Sequence, residues 1–278
     1  MAFNLTDKLI NDTNSTLVVD ALNLAFRWKH QGRSDFRYEY QSTVKSLAKS
    51  YDCKNVIITA DWGASTYRKA ICPDYKQNRK DKQAEQSEAE RIAFQEFFEE
   101  FEESLEILAE DYPVLRYKGV EADDVAAHLV KHKDKYNLEY IWLISSDRDW
   151  DLLIQEKVGR FSYVTRKEVR LDNWKEHYEV KPHEYISMKC LTGDKGDNVM
   201  GIPGIGPKRA AQLIREYGTA WDIYESLPIS SRYKYIQDLN ANGERLLLNY
   251  ELMDLMTFCD DAIGQDNIED IGRKLNGS

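Results

Sequence analysis

The sequence predicts an α/β fold: a mainly parallel central sheet with helices on both faces, extended by a helical C-terminal region. Three observations lead there. Four short apolar, β-branched runs alternate with stretches of helical periodicity, as parallel strands joined by crossover helices require. A long charged helical stretch at about 68–111 interrupts the alternation. From residue 172 onward the pattern is helical throughout. The expected division is therefore an α/β core over residues 1–180, carrying the insertion, and a helical region over 181–278.

The elements follow in order. Residues 15–20, STLVVD, are β-branched and end in Asp20. Basic residues Arg27 and Lys29 come soon after, and residues 42–51 carry helical periodicity. NVIITAD (55–61) is a second strand pattern, again ending in Asp. A third apolar run, 113–117, precedes Gly119 and the group Glu121, Asp123 and Asp124, which opens the helical pattern DDVAAHLVKHKDKY. YIWLIS (140–145) runs into Asp147 and Asp149, and RFSYVTRKEVRL (160–171) reads as a β-hairpin.

The insertion has two parts. RKAICPDYKQNRKDK is basic and broken at Pro73, and Tyr75, Lys76, Arg79, Lys80 and Lys82 combine cations with an aromatic, as single-strand binding needs. A solvated basic loop has the same composition. The second part places Phe94, Phe97, Phe98, Phe101, Leu105 and Leu108 at helical steps with Glu opposite, which predicts a helix packed on the sheet. Further helical patterns cover 182–191, 207–217, 219–226 and 243–256, and the last dozen residues are expected to fray.

The stretch GDKGDNVMGIPGIGPKR (193–209) organises the C-terminal region. Its first half sets Asp194 and Asp197 three apart among glycines, which permit tight turns. Its second half is a hairpin with Gly201, Gly204 and Gly206, leading into a helix that opens with Lys208 and Arg209. Free N–H groups and cations at a helix start suit a phosphate.

Composition narrows the function. At 278 residues and 42% apolar, the chain can bury a sizeable core. It has no apolar run near the length of a membrane helix, and MAFNLTDKLINDTN lacks the pattern of a signal peptide. Cys53, Cys72, Cys190 and Cys259 are scattered and read as free thiols of a reducing cytoplasm; the five His are read as having no helical metal-site spacing. A net charge of −10 fits a nucleic-acid protein only if a local basic track coexists with acids that hold cations. Random order already gives about eight adjacent acidic pairs, so position relative to the strands decides.

Acids follow all four predicted strands, where sites form in such sheets. One such Asp is ordinarily a helix cap. Nine acids are candidates to face one crevice: Asp20, Asp61, Glu121, Asp123, Asp124, Asp147, Asp149, Asp194 and Asp197. Without bound cations they would repel strongly. Oxygen ligands with no neighbouring Cys or His select Mg²⁺ or Mn²⁺, and two such ions can clamp a phosphodiester. Lys76 and Arg79 could neutralise charge developing on the phosphate, and Asp20 and Asp147 are the leading acids of the two groups.

VEADD (120–124), SSDRDWD (145–151) and TGDKGDNVMGIPGIGPKRA (192–210) resemble the 5′-nuclease, or flap endonuclease, family. The likeness extends to VVDALNLAFR (18–27) and PDYKQNR (73–79), and the short form without an attached polymerase most resembles the enzymes of T5-like bacteriophages. The resemblance implies a PIN-like core with a helical arch and a helix-hairpin-helix. It implies a monomeric phosphodiesterase that removes 5′ flaps and acts as a 5′→3′ exonuclease on DNA in replication and primer removal, RNA–DNA hybrids being further candidate substrates. It implies one metal group near Asp20, Asp61, Glu121, Asp123 and Asp124, and a second near Asp147, Asp149, Asp194 and Asp197. Lys76, Arg79 and Tyr75 match the arch, residues 201–209 the helix-hairpin-helix, where K⁺ is a further expected ion, and Arg27 and Lys29 a basic patch. A replication polymerase or single-strand-binding protein is the implied protein partner. Trp62, after Asp61, departs from the small or basic residues more usual there. Two alternatives remain: a non-catalytic relative that binds branched DNA, and a PIN-like ribonuclease, which would leave the hairpin unexplained.

Overall fold

The structure, a computed structural model, describes residues 15–276. The reading of the N-terminal stretch before residue 15 lies outside the described residues. In chain order the N-terminal part runs β1 (Ser15–Asp20), α1 (Ala21–Lys29), α2 (Arg37–Ser50), β2 (Asn55–Ala60), α3 (Thr66–Ile71), α4 (Gln77–Ala84) and α5 (Glu88–Asp111). It continues through β3 (Val114–Arg116), α6 (Ala122–Lys131), β4 (Tyr140–Ile144), β5 (Val158–Ser162) and β6 (Lys167–Val169). Then come α7 (Tyr185–Thr192), a small hairpin of β7 (Gly193–Asp194) and β8 (Val199–Met200), α8 (Pro207–Tyr217), α9 (Ala220–Glu225), α10 (Lys234–Ala241), α11 (Glu244–Met253), α12 (Leu255–Ile263) and α13 (Gln265–Asn276).

The sheet order is β3-β2-β1-β4-β5-β6, parallel except for β6 at one edge. The chain steps outward from β1 to β3, then returns across to β4 on the other side of β1. That reversal makes the carboxyl ends of β1 and β4 the natural crevice of the fold.

The two-residue period of a strand sorts the core. Leu17, Val19, Ile58 and Ile144 face α1, α2 and α5, where Trp28, Tyr40, Phe97, Phe101 and Leu108 pack. Val18, Ile57 and Leu143, which share one register line, face α6, α12 and α13. Each such fully buried side chain contributes about 1.5–3 kcal/mol. A third core, around Leu191, Ile202, Ile205, Ile214 and Leu239, holds the C-terminal helices on the hairpin.

The structure differs from expectation in several places. The described part of the last dozen residues, 267–276, does not fray: Ile268, Ile271 and Leu275 recur at helical steps, and α13 buries Ile271 completely. The pattern over 243–256 is two helices, because the Asp254 carboxylate accepts the N–H groups of Met256 and Thr257 and so starts α12. The predicted hairpin at 160–171 is β5–β6, but β5 also joins the sheet through β4. Helix α10 lies within the stretch expected to be helical but outside the four patterns placed there. The reading of the histidines is corrected as well: His128 and His132 stand four residues apart at the end of α6, the spacing that places two imidazoles on one helical face.

Candidate active site

Strand ends place the acids. Asp20 closes β1 and caps α1: its Oδ1 accepts the Asn23 N–H at 3.2 Å, and its Oδ2 accepts the Ser145 hydroxyl at 2.7 Å. Asp61 follows β2 and accepts the Ala122 N–H at 2.6 Å, which ties it to the start of α6. Glu121 precedes α6, and Asp123 and Asp124 lie in its first turn, where the helix dipole favours anions. The Trp150 indole N–H fixes Asp123 at 2.6 Å. Asp147 follows β4 and caps the short 3₁₀ turn Arg148–Leu153, accepting the Asp149 N–H at 2.9 Å. Asp194 and Asp197 arrive from the β7–β8 hairpin, where the Asp194 Oδ1 accepts the Gly196 N–H at 2.8 Å.

Burial first, and the crowding of anions second, shifts several of these groups. Burial, then the charges of Asp61 and Asp147, push Asp20 up to about 8. Burial and Asp147 raise Asp123, and burial raises Asp61 despite the Ala122 N–H. Burial lifts Asp149 to about 6 even with Lys189 opposing. Glu121 goes the other way: burial would raise it, but Lys76 and Arg68 outweigh that and hold it below the usual range.

The chain supplies its own cations. Lys76 Nζ lies 2.5 Å from Glu121 Oε1 and 3.5 Å from Asp197 Oδ2, and Arg79 reaches Asp197 Oδ1 at 2.5 Å. Two further basic residues escaped the sequence reading. Lys189 of α7 bridges Asp149 at 2.5 Å and Asp194 at 3.0 Å; a Lys on the apolar face of a helical pattern, five residues before an acid, was the available signal. Arg68 of α3 is buried and grips both oxygens of Asp124 at 2.7 Å, with Glu121 at 2.8 Å.

Not every candidate meets the others. Asp124 is turned to Arg68, so its oxygens are already engaged and it acts by holding Arg68 and Glu121 in place. Tyr75 was read as a stacking aromatic, yet it is 3% exposed; its hydroxyl donates to Asp197 at 2.9 Å, so the ring orders the acids and offers no free face. Arg27 and Lys29 touch none of the acids. Arg27 stacks over Tyr163 at 4.5 Å and Lys29 over Phe94 of α5 at 4.1 Å. Trp62 is half exposed, with Arg116 over its ring.

The glycines of the C-terminal hairpin have separate reasons. A Cβ at Gly201 would meet the Thr192 backbone at 2.2 Å, so this glycine serves close chain packing. Gly204 has φ +76°. Only Gly206 has open space around it, at the uncapped N-terminus of α8 beside the exposed Lys208 and Arg209. The carbonyls of Gly201 and Gly204 accept from Arg245 at 3.0 Å and Arg209 at 2.6 Å.

The chain is similar to known proteins in sequence and in fold. Residues 15–179 match the family model of the 5′-3′ exonuclease N-terminal resolvase-like domain, and residues 180–272 that of the 5′-3′ exonuclease C-terminal SAM fold. The flap endonuclease of Escherichia phage T5 is 43% identical over 91% of this chain and 88% of its own. The flap endonuclease Xni of Shewanella oneidensis is 27% identical over 88% of this chain and 90% of its own. A crystal structure of the bacteriophage T5 flap endonuclease, as a pseudo-enzyme–product complex with DNA and metal ions, superposes with a TM-score of 0.91 at 41% identity, covering 95% of this chain and 98% of that one.

Proposed function

Because the chain belongs to the 5′–3′ exonuclease family, we propose that it is a structure-specific 5′ nuclease, a flap endonuclease and 5′→3′ exonuclease that hydrolyses DNA phosphodiesters. One observation carries the reading: acids from four strand ends and the β7–β8 hairpin converge where the sheet order reverses, with protein ammonium groups wedged between them.

The donor set fits hard divalent cations. Every acid of the crevice offers oxygen, and Asp20, Asp61 and Asp123 are driven toward the protonated form, so positive charge is in deficit there. Asp20, Asp61, Glu121 and Asp123 on one side, and Asp147, Asp149, Asp194 and Asp197 on the other, would hold two or more Mg²⁺ or Mn²⁺ ions, which supply an activated water and stabilise the leaving oxygen. Asp124 contributes through Arg68.

The chain's own residues do the rest. Lys76 is pinned by Glu121 and by its backbone N–H to the Asp197 carbonyl at 2.8 Å, so its ammonium is placed in advance to neutralise a phosphoryl oxygen. Arg79 lies nearer solvent and is placed to guide the phosphate inward. Lys208, Arg209 and the free N–H groups opening α8 grip the duplex backbone away from the chemistry. Arg27 and Lys29 offer a second basic contact. A K⁺ ion at the helix-hairpin-helix would be held by backbone carbonyls of the hairpin. The setting is cytoplasmic DNA replication, as a monomer alongside a polymerase.

The test is cleavage of a labelled 5′-flap DNA by the pure protein with Mg²⁺, and its loss in EDTA. Binding without cleavage points to a non-catalytic junction binder; cleavage of single-stranded RNA in preference to flap DNA points to a ribonuclease.

A further inference from the structure

Helix α6 begins at the acid crevice and ends in a second cluster that the nuclease chemistry does not use. There it packs against α12. His128 Nδ1 lies 2.6 Å from Asp260 Oδ1, and His132 Nε2 lies 3.0 Å from Asp260 Oδ2. Among the described residues this trio brings one ligand atom from each side chain within 4.8 Å of the others.

We propose that His128, His132 and Asp260 form a second metal site, suited to a borderline transition-metal cation such as Zn²⁺, which clamps α6 to α12. Two imidazoles and one carboxylate are a donor set for Zn²⁺ and its neighbours, and a poor one for Mg²⁺. With metal–ligand bonds of about 2.0–2.1 Å, ligand atoms of a tetrahedral site stand about 3.3 Å apart, so the 2.6 Å His128–Asp260 contact must open by about 0.7 Å and the 3.0 Å His132–Asp260 contact by about 0.3 Å.

The surroundings match what such a site requires. Tyr136 Oη is 2.8 Å from His128 Nε2, ready to accept the Nε2–H when Nδ1 turns to a metal; that fixes the tautomer and orients the ring. Burial lowers His128 and favours the neutral, ligating imidazole. Burial would raise Asp260, but hydrogen bonds from His128, His132 and Lys131 outweigh it and keep the carboxylate ionised. Side chains of His132 and Asp260 are 35% and 30% exposed, which gives a cation access and leaves room for a water as fourth ligand. Lys131 is the resident competitor: its Nζ sits 3.0 Å from Asp260 Oδ2 and donates to the Thr257 carbonyl at 3.3 Å. The rival account is a metal-free latch of hydrogen bonds between the two helices.

The two accounts separate by titrating the full-length protein with Co²⁺ while millimolar Mg²⁺ occupies the acid crevice. The proposal expects one equivalent of Co²⁺ with the visible absorption of a nitrogen-ligated ion, displaced by Zn²⁺. His132→Ala, at a partly exposed position, should lose that band and weaken binding on the order of 10²-fold, while flap cleavage in Mg²⁺ stays at the wild-type rate. Lys131→Met should tighten Co²⁺ binding by removing the competing charge. Zn²⁺ should raise the melting temperature of the wild type and not that of His132→Ala. If the wild type gives no such band, or His132→Ala binds Co²⁺ equally well, the cluster is a hydrogen-bonded latch and the proposal is wrong.

Discussion

Filling the acid crevice should expel protons, and the number is calculable. Asp20 is pushed up to about 8 and Asp149 to about 6 in the metal-free protein. At pH 7 those two carboxyls together hold about one proton, some nine-tenths of it on Asp20. A divalent cation needs the carboxylate form, so binding at pH 7 should release about one proton or more, Asp61 and Asp123 adding to the sum. Near pH 9 the contribution of Asp20 and Asp149 should fall to about a tenth. Titration calorimetry with Mg²⁺ or Mn²⁺, in buffers of different ionisation enthalpy, reads the number as a slope. Asp20→Asn should lower the release at pH 7 by about nine-tenths of a proton. The same shift has a stability consequence. The raised folded value of Asp20 favours the folded state below its ordinary 3.8, and that contribution is lost as pH rises toward about 8. The metal-free protein should therefore lose stability across that window, and divalent cations should restore it. Tight cation binding at pH 7 with no dependence on buffer would refute the reasoning.

The other predictions are briefer. Lys76→Ala should slow the single-turnover rate on the order of 10²-fold at saturating enzyme, with a smaller loss of binding, measured by quenched flow. Converting Lys208 and Arg209 together to Ala should make the slope of log K against log[salt] shallower by roughly 1 to 2, leaving the rate of the saturated complex within a few-fold; anisotropy titrations over a salt series check this. Arg68→Ala leaves Asp124 and Glu121 buried without their guanidinium and should cost about 3–5 kcal/mol in urea denaturation, part of it recovered by adding Asp124→Asn.

Much of this was legible in the sequence because its cues are local. A β-branched run that ends in Asp names both a strand and the edge of the crevice, as STLVVD does for Asp20. The GIPGIGPKR stretch marks its own turn and the start of α8. What stayed hidden depends on distance in space. Nothing near Arg68 in the chain reveals that it meets Asp124, because α3 and α6 come together only through the sheet. Lys189 sits among apolar neighbours and declares its role only when α7 lies beside Asp149. Tyr75 and its basic neighbours look the same from sequence whether the ring faces solvent or the acids; the fold decides for the acids. Asp260 reaches His128 across two helices more than a hundred residues apart, so even correct helical spacing of the histidines would have left the trio incomplete. Strand order is likewise a tertiary fact, and it alone explains why acids following four separate strands share one crevice.

The central claim is that the acids, with Lys76 among them, perform the chemistry and the C-terminal hairpin holds the DNA. Its most direct test is the double variant Asp147→Asn, Asp149→Asn, studied by fluorescence anisotropy and by quenched-flow cleavage on one 5′-flap substrate in Mg²⁺. The account predicts binding as tight as wild type or tighter, since two repelling charges are gone, with cleavage reduced by several orders of magnitude. Cleavage near the wild-type rate by the saturated variant would contradict it.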